Sequence, residues 1–164
     1  MSLKSAELPD VPDVILEQAV FSWMLNNYYG ETSLLPKPCQ NVFSCRIVID
    51  QVENGGLTQL FYNTRENVDA GYDDYAEMSI DGFLALGNQK LSEIMTKAVK
   101  TYRQSKHLLD AYEDGTLEGF FASYQEKIFD ELDKAFFNED KSENGVRYVD
   151  YVKCIRQNAD CFGD

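Results

Sequence analysis

Residues 117–138 read LEGFFASYQEKIFDELDKAFFN, and the apolar residues of this stretch decide the fold that the sequence predicts. They recur at steps of three and four residues, which places them along one stripe of an α-helix. The stripe consists of Leu117, Phe120, Phe121, Tyr124, Ile128, Leu132, Ala135 and Phe136. Because an apolar stripe has to be buried, the stretch is predicted to be one helix that packs on a core of other helices.

The opposite face of this predicted helix is acidic. It carries Glu118, Glu126, Asp130 and Asp133. Like charges three or four residues apart destabilise a helix by about 0.2–0.5 kcal/mol per pair. Local helix stability therefore does not explain this face, and another role for the carboxylates is expected.

Helical spacing of apolar residues recurs on both sides of this stretch. Residues 40–53 are predicted to form a helix, whereas residues 34–38 contain two prolines and are predicted to be a non-helical linker. Gly55 and Gly56 stand between two apolar stretches and are predicted to form a tight corner between packed helices. The helix after the corner is predicted to end near Asn63.

The pattern of the whole chain predicts the class of fold. No stretch shows the two-residue alternation that is typical of a β-strand, and no internal repeat is visible. A chain of this length suits one core. We therefore expect an all-α domain over residues 1–164 with roughly six or seven helices, in which residues 1–10 and 159–164 are loosely ordered.

The chain is strongly acidic. Its 28 acidic and 15 basic residues give a formal net charge of -13. Such a charge repels phosphate backbones and anionic lipids, so direct binding to nucleic acid or membranes is not expected. It attracts basic surfaces, of which those of DNA-binding proteins are a common kind. A plainer interpretation is that the charge keeps a cytoplasmic protein soluble.

The charges are also unevenly distributed. Residues 66–81 contain six acidic and no basic residues, and residues 110–143 contain eleven acidic residues against three lysines. Between them, the predicted helix at 89–104 has a basic outer face. As a single helix rising about 1.5 Å per residue, residues 110–143 would present carboxylates at a density comparable with phosphates about 3.4 Å apart on a DNA strand.

The residues that enzymes and metal sites require are scarce. The chain has one histidine, and its four cysteines are not spaced like zinc ligands. No phosphate-binding glycine loop and no calcium-binding loop is present. We expect no catalytic residues, no metal and no cofactor. The sequence shows no leader and no membrane span, so a cytoplasmic location with reduced thiols is predicted.

Two stretches resemble a known family. Residues 50–63, DQVENGGLTQLFYN, and residues 85–99, ALGNQKLSEIMTKAV, are similar to a group of small helical bacterial proteins whose founding member is a DNA mimic protein. The resemblance continues over nearly the whole chain. Its fold signature here comprises Asn54, Gly55, Gly56, Phe61 and Asn63. The length and acidity also resemble those of the founding member, which predicts that the chain is that protein.

The resemblance implies a function. A DNA mimic occupies the DNA-binding site of a partner, here a basic helix-turn-helix transcription factor, and keeps it off its operator DNA. The carboxylates expected to stand in for phosphates are Asp73, Asp74, Glu77, Asp81, Glu113, Asp114, Glu118, Glu126, Asp130, Asp133, Glu139 and Asp140.

Two alternatives remain open from the sequence. One is an enzyme or small-ligand protein whose site lies beside residues 54–56, with Tyr62, Asn63 and Tyr72 lining a pocket. The other is an antitoxin-like or immunity-like partner of a basic protein, which would use the same electrostatic attraction on a different partner.

Overall fold

The helical periodicity of the chain produces seven α-helices within the part that the structure describes. This structure, a computed structural model, describes residues 8, 10–69, 71, 73–112, 116–142, 145–146 and 148–162. The helices are α1 (Asp13–Tyr28), α2 (Lys37–Asp69), α3 (Tyr75–Ala85), α4 (Gln89–Asp110), α5 (Leu117–Ser123), α6 (Asp130–Asp140) and α7 (Tyr148–Gln157). These ranges contain no strand, so the predicted all-α class is confirmed.

Helix α2 is the centre of the bundle, and it contacts α1, α3, α4, α6 and α7. Its first half is almost entirely buried from Asn41 to Ile49, except for Arg46. Aromatic side chains from the surrounding helices, such as Phe83 and Phe136, complete the core. None of the described helices combines the length and the apolar character that a membrane crossing requires.

Polar side chains close the N-termini of three helices. The side chains of Asp74, Asn88 and Thr116 each accept a hydrogen bond from a backbone N–H in the first turn of α3, α4 and α5. Such caps satisfy amide groups that have no partner inside the helix. They fix where each helix starts.

The single helix predicted over residues 117–138 is wrong. Helix α5 ends at Ser123, a 3₁₀ turn covers Tyr124–Glu126, and Lys127 adopts a left-handed conformation with φ 51° before α6 begins. The turn brings Phe129 into the core, where its ring stacks on Phe61 at 5.2 Å. A single straight helix would bury the predicted apolar stripe, which does not include Phe129. The burial of the Phe129 ring therefore accounts for the interruption.

The boundaries of α2 also differ from the prediction. The helix begins at Lys37, inside the expected linker, because Pro38 occupies the first turn, where a missing N–H costs nothing. It continues beyond Asn63 to Asp69. At the other side of the core, the buried side chains of Leu8 and Phe162 show that parts of both terminal segments pack.

Gly55 and Gly56 interrupt α2 with non-helical backbone angles. Gly56 has φ 72° and ψ -175°, a combination that is essentially restricted to glycine. A Cβ atom at Gly56 would lie 2.8 Å from Asp133 Oδ2, and one at Gly55 would lie 2.9 Å from the Tyr124 hydroxyl. We call residues 54–56 the glycine corner. Both the backbone and the close neighbours require glycine there.

We predict that Gly56→Ala destabilises the protein by about 1–3 kcal/mol, because it strains the backbone and pushes Asp133 away. Urea denaturation measures the change. Gly87→Ala is the matched control, since Gly87 also has a positive φ of 90° but open space where the Cβ would go. Equal destabilisation by the two substitutions would contradict a specific contact between the corner and Asp133.

Candidate protein-binding surface

Helix α6 is attached to the glycine corner by a carboxylate. Asp133 Oδ1 accepts a hydrogen bond from the backbone N–H of Leu57 at 2.7 Å. Leu57 opens the helical half of α2 that follows the corner, so its amide has no partner inside that helix. A negative group at this position also interacts favourably with the helix dipole. Asp133 therefore acts as a cap supplied from another helix.

The environment of Asp133 agrees with a structural role. Burial raises the pKa of this carboxyl group, the hydrogen bond from the Leu57 N–H lowers it, and the neighbouring charge of Asp130 raises it. The side chain is only partly accessible. Asp133 was expected among the phosphate-mimicking carboxylates, but its Oδ1 accepts the Leu57 N–H and the side chain packs beside Gly56.

Glu139 is likewise withdrawn from the surface. Its residue is 5% exposed, and Oε2 lies 2.8 Å from Lys90 Nζ. Oε1 accepts a hydrogen bond from Asn88 Nδ2. The carboxylate thus joins α6 to the start of α4, and it does not belong to the exposed acidic surface that the sequence predicts.

The acidic run at residues 73–81 is largely matched by partners. Asp73 Oδ2 accepts the Ser33 N–H at 2.8 Å, and Asp74 is the cap of α3. Two ion pairs follow. Glu77 lies 2.8 Å from Arg103 on the basic face of α4, and Asp81 lies 3.2 Å from Lys37. The fold therefore places Glu77 and Asp81 next to cations, which weaken the negative electrostatic potential of this run.

A second group of carboxylates is exposed and has no ion pair within the described ranges. It comprises Glu53, Glu118, Glu126 and Asp130, and we call it the exposed carboxylate surface. Glu126 accepts a hydrogen bond from the Tyr112 hydroxyl. The adjacent Glu131 pairs with Lys134 at 2.6 Å within α6.

Three contacts hold residues 117–133 against α2 and thereby position these carboxylates. The Phe120 ring packs on Tyr62 with centroids 4.7 Å apart. The Tyr124 hydroxyl donates a hydrogen bond to the Gly55 carbonyl at 2.7 Å. The Asp133 cap is the third contact. Glu118, Glu126 and Asp130 are thus carried by a segment that is attached to α2 near both ends, whereas Glu53 directly precedes the corner on α2.

Two apolar side chains accompany the exposed carboxylate surface. Leu117 is 70% exposed and Phe121 is 62% exposed, and they flank Glu118 on α5. The sequence pattern assigned both to the buried stripe, which was wrong because the helix ends after two turns. Glu53 was also missed, and its position immediately before the corner is the signal that could have identified it.

The other predicted residues have more local roles. Phe61 stacks on Tyr102 with centroids 4.4 Å apart, and Asn63 Nδ2 donates to Gln51 Oε1 across the corner at 2.8 Å. Asn54 Nδ2 donates to the Asp50 carbonyl. Asp140 is half-buried at the end of α6. Glu113 and Asp114 lie outside the described residues.

The described residues near the corner offer little room for a ligand. Both glycines are in close contact with their neighbours, and the crevice bordered by Tyr62 and Thr58 has no volume that a water molecule could occupy. Tyr72, the third residue expected to line a pocket, lies outside the described ranges. Within those ranges, no group of three or more acidic, histidine or cysteine side chains is placed to hold a metal ion.

We predict that Asp133→Ala lowers the free energy of unfolding by about 0.5–2 kcal/mol, as for loss of a helix cap, and that Asp133→Asn retains most of it through the amide oxygen. Urea denaturation at neutral pH measures both. Equal losses for the two variants would show that the charge matters more than the hydrogen bond.

Because the pKa of Asp133 is raised in the folded protein, the difference in stability between wild type and Asp133→Asn should depend on pH. The folded protein binds the Asp133 proton at a higher pH than the unfolded chain does, so this group contributes less stability as pH rises through its folded pKa. We therefore expect wild type to gain stability relative to Asp133→Asn when the pH is lowered from about 7 to about 4. A relative loss of wild-type stability would contradict burial as the dominant cause.

Comparison with known proteins places this fold and surface in one family. The family described as DMP19-like protein matches residues 33–158, a region that includes the glycine corner and the helices that pack on it. Neither the curated proteins nor the solved structures compared with the chain gave a match. Identity with the founding DNA mimic stays a prediction. With most of its length matched, the chain belongs to the DMP19-like protein family, named after DNA mimic protein 19.

Proposed function

We propose that this protein is a DNA mimic that binds a helix-turn-helix transcription factor and blocks its access to operator DNA. The proposal rests on membership of the DMP19-like family, which is not an enzyme family, and on the exposed carboxylate surface. The observation that carries it is the separation of the two acidic runs. In the first run Glu77 and Asp81 are paired with Arg103 and Lys37, whereas in the second Glu118, Glu126 and Asp130 are exposed and form no ion pair within the described ranges.

Electrostatics support a basic partner for this surface. Glu53, Glu118, Glu126 and Asp130 are exposed carboxylates that form no ion pair within the described ranges. The DNA-binding face of a transcription factor carries lysine and arginine side chains that neutralise phosphates. Carboxylates held in fixed positions offer the same charge to those side chains. Complementary charge accelerates association and orients the partners.

Rigidity supports the proposal as well. The segment that carries three of these carboxylates is attached to α2 by Phe120, Tyr124 and Asp133. A fixed array loses little conformational entropy on binding. It also differs from the continuous helix that the sequence predicts, because α5 and α6 present their charges on either side of the turn at Lys127.

The exposed apolar residues extend this surface beyond charge alone. Interfaces commonly contain an aromatic side chain at their centre with polar groups around it. Phe121 and Leu117 stand next to Glu118 and supply such a contact. A partner that reads DNA grooves with a helix has apolar side chains that can pack against them.

The test uses two double variants with the same net charge. Glu118→Gln/Asp130→Asn removes two exposed carboxylates, and Glu77→Gln/Asp81→Asn removes two that pair with Arg103 and Lys37. Exposed ion pairs stabilise by about 0–1 kcal/mol, so both variants should fold. Wild type and variants are immobilised, a lysate of the source cells is passed over them, and bound proteins are eluted with salt and identified.

We expect a transcription factor that elutes from wild type and from the Glu77/Asp81 variant, with affinity for the Glu118/Asp130 variant reduced by about 5- to 30-fold. A mobility-shift assay with its operator should show displacement of DNA by wild type at low salt. If the factor stays on the operator with excess protein, the proposal is wrong. A basic toxin in the eluate, with no DNA-binding protein, would favour the immunity-like alternative.

A further inference from the structure

Three of the four cysteines lie together where the first turn of α2 meets the C-terminal part of the chain. Cys39 lies in that turn and is fully buried. Cys154 is half-buried on α7, and Cys161 is half-buried at the end of the 3₁₀ turn that follows α7, Ala159–Cys161. The fourth, Cys45, is buried further along α2. All four are free thiols, and the function proposed above uses none of them.

A direct contact joins the first and the last of these cysteines. The Cys39 thiol donates a hydrogen bond to the Cys161 carbonyl oxygen at 2.7 Å, although the two residues are 122 positions apart in the chain. Standard bond lengths then place Cys39 Sγ within about 5 Å of the Cys161 Cα. Disulfides join cysteines whose Cα atoms are about 4.4–6.8 Å apart. The backbone therefore holds these two residues near the separation that a disulfide requires.

The two thiols differ in their access to solvent. Burial is the main cause that raises the pKa of the Cys39 thiol to about 12, and the neighbouring thiols of Cys161 and Cys154 add to the effect. Because the thiolate is the reactive form, a buried and protonated Cys39 does not react with an oxidant from solvent. Cys161 is partly exposed. An oxidant therefore reaches Cys161 first, and Cys39 is placed to react with the product.

We propose that Cys39 and Cys161 form a reversible disulfide when the protein meets hydrogen peroxide. The Cys161 sulfur attacks a peroxide oxygen, the O–O bond breaks, and Cys161 becomes a sulfenic acid while one water leaves. The Cys39 sulfur then attacks the Cys161 sulfur, the S–O bond breaks, and the departing hydroxide takes the Cys39 proton to form a second water. The two thiols lose two electrons and the peroxide gains two. Exchange with two molecules of a small thiol restores both cysteines.

The position of the bond in the chain determines its effect on stability. A disulfide stabilises a protein mainly by restricting the unfolded chain, and the effect grows with the length of the loop that it closes. Cys39 and Cys161 are 122 residues apart, so the loop is long. The bond also fixes the 3₁₀ turn after α7 to the first turn of α2. We therefore expect the oxidised protein to melt about 5–15 °C above the reduced protein.

The test treats the full chain with hydrogen peroxide, blocks the remaining thiols with iodoacetamide, and digests the protein with trypsin without reduction. Trypsin places Cys154 and Cys161 in separate peptides, and fragmentation of a linked peptide distinguishes Cys39 from Cys45. We expect a peptide that links Cys39 to Cys161 as the main product. The melting temperature of the oxidised protein should rise and should return to the reduced value after dithiothreitol is added.

Two serine variants separate this bond from general oxidation. Cys154→Ser is the matched control, since Cys154 is also a half-buried free thiol, and it should form the link and gain stability as wild type does. Cys161→Ser should gain nothing from peroxide. The proposal is overturned if the Cys39–Cys161 link is absent or forms only in urea. It is also overturned if Cys154 linked to Cys161 is the main product, or if peroxide raises the melting temperature of Cys161→Ser as much as that of wild type.

Discussion

The hydrogen bond from the Leu57 N–H to Asp133 is the contact on which the arrangement of the exposed carboxylates depends. The chain changes direction at Gly56 and starts a new helical segment whose first amide groups have no internal partner. Asp133 reaches one of them at 2.7 Å, and it can approach only because residue 56 has no side chain. The glycine and the aspartate are therefore required together.

This contact has consequences for charge as well as for packing. By binding α6 to the corner, it uses one carboxylate for structure and leaves Asp130, one turn earlier, in solvent. The same division occurs elsewhere. Glu139 is buried against Lys90, and Glu77 and Asp81 are matched by cations from α4 and α2. The carboxylates behind the net charge of -13 thus differ in their surroundings, since some are paired or buried and others are exposed to solvent.

The sequence was sufficient for the class of fold, because helical spacing of apolar residues is a local signal that most segments share. It was insufficient for residues 117–138. The turn there depends on the left-handed conformation of Lys127 and on the burial of Phe129 against Phe61, which is a contact between distant segments. A pattern of apolar residues alone does not show where a helix gives way to such a turn.

The candidate surface was predictable only in outline for a similar reason. Counting charges identifies two acidic runs, but it does not show that Asp81 meets Lys37, 44 residues away, or that Glu77 meets Arg103. These ion pairs depend on how α3 packs between its neighbours. Conversely, Glu53 was not predicted as a site residue, and the structure shows it exposed immediately before the corner to which Asp133 and Tyr124 bind.

The most direct test of the central claim is carboxyl footprinting of the complex with the transcription factor that we propose as its partner. Carbodiimide coupling followed by mass spectrometry reports the reactivity of each exposed carboxylate, with and without the partner. The account predicts that Glu53, Glu118, Glu126 and Asp130 lose reactivity in the complex while Glu77 and Asp81 keep theirs. Protection of Glu77 and Asp81, with Glu118 and Asp130 unchanged, would contradict it.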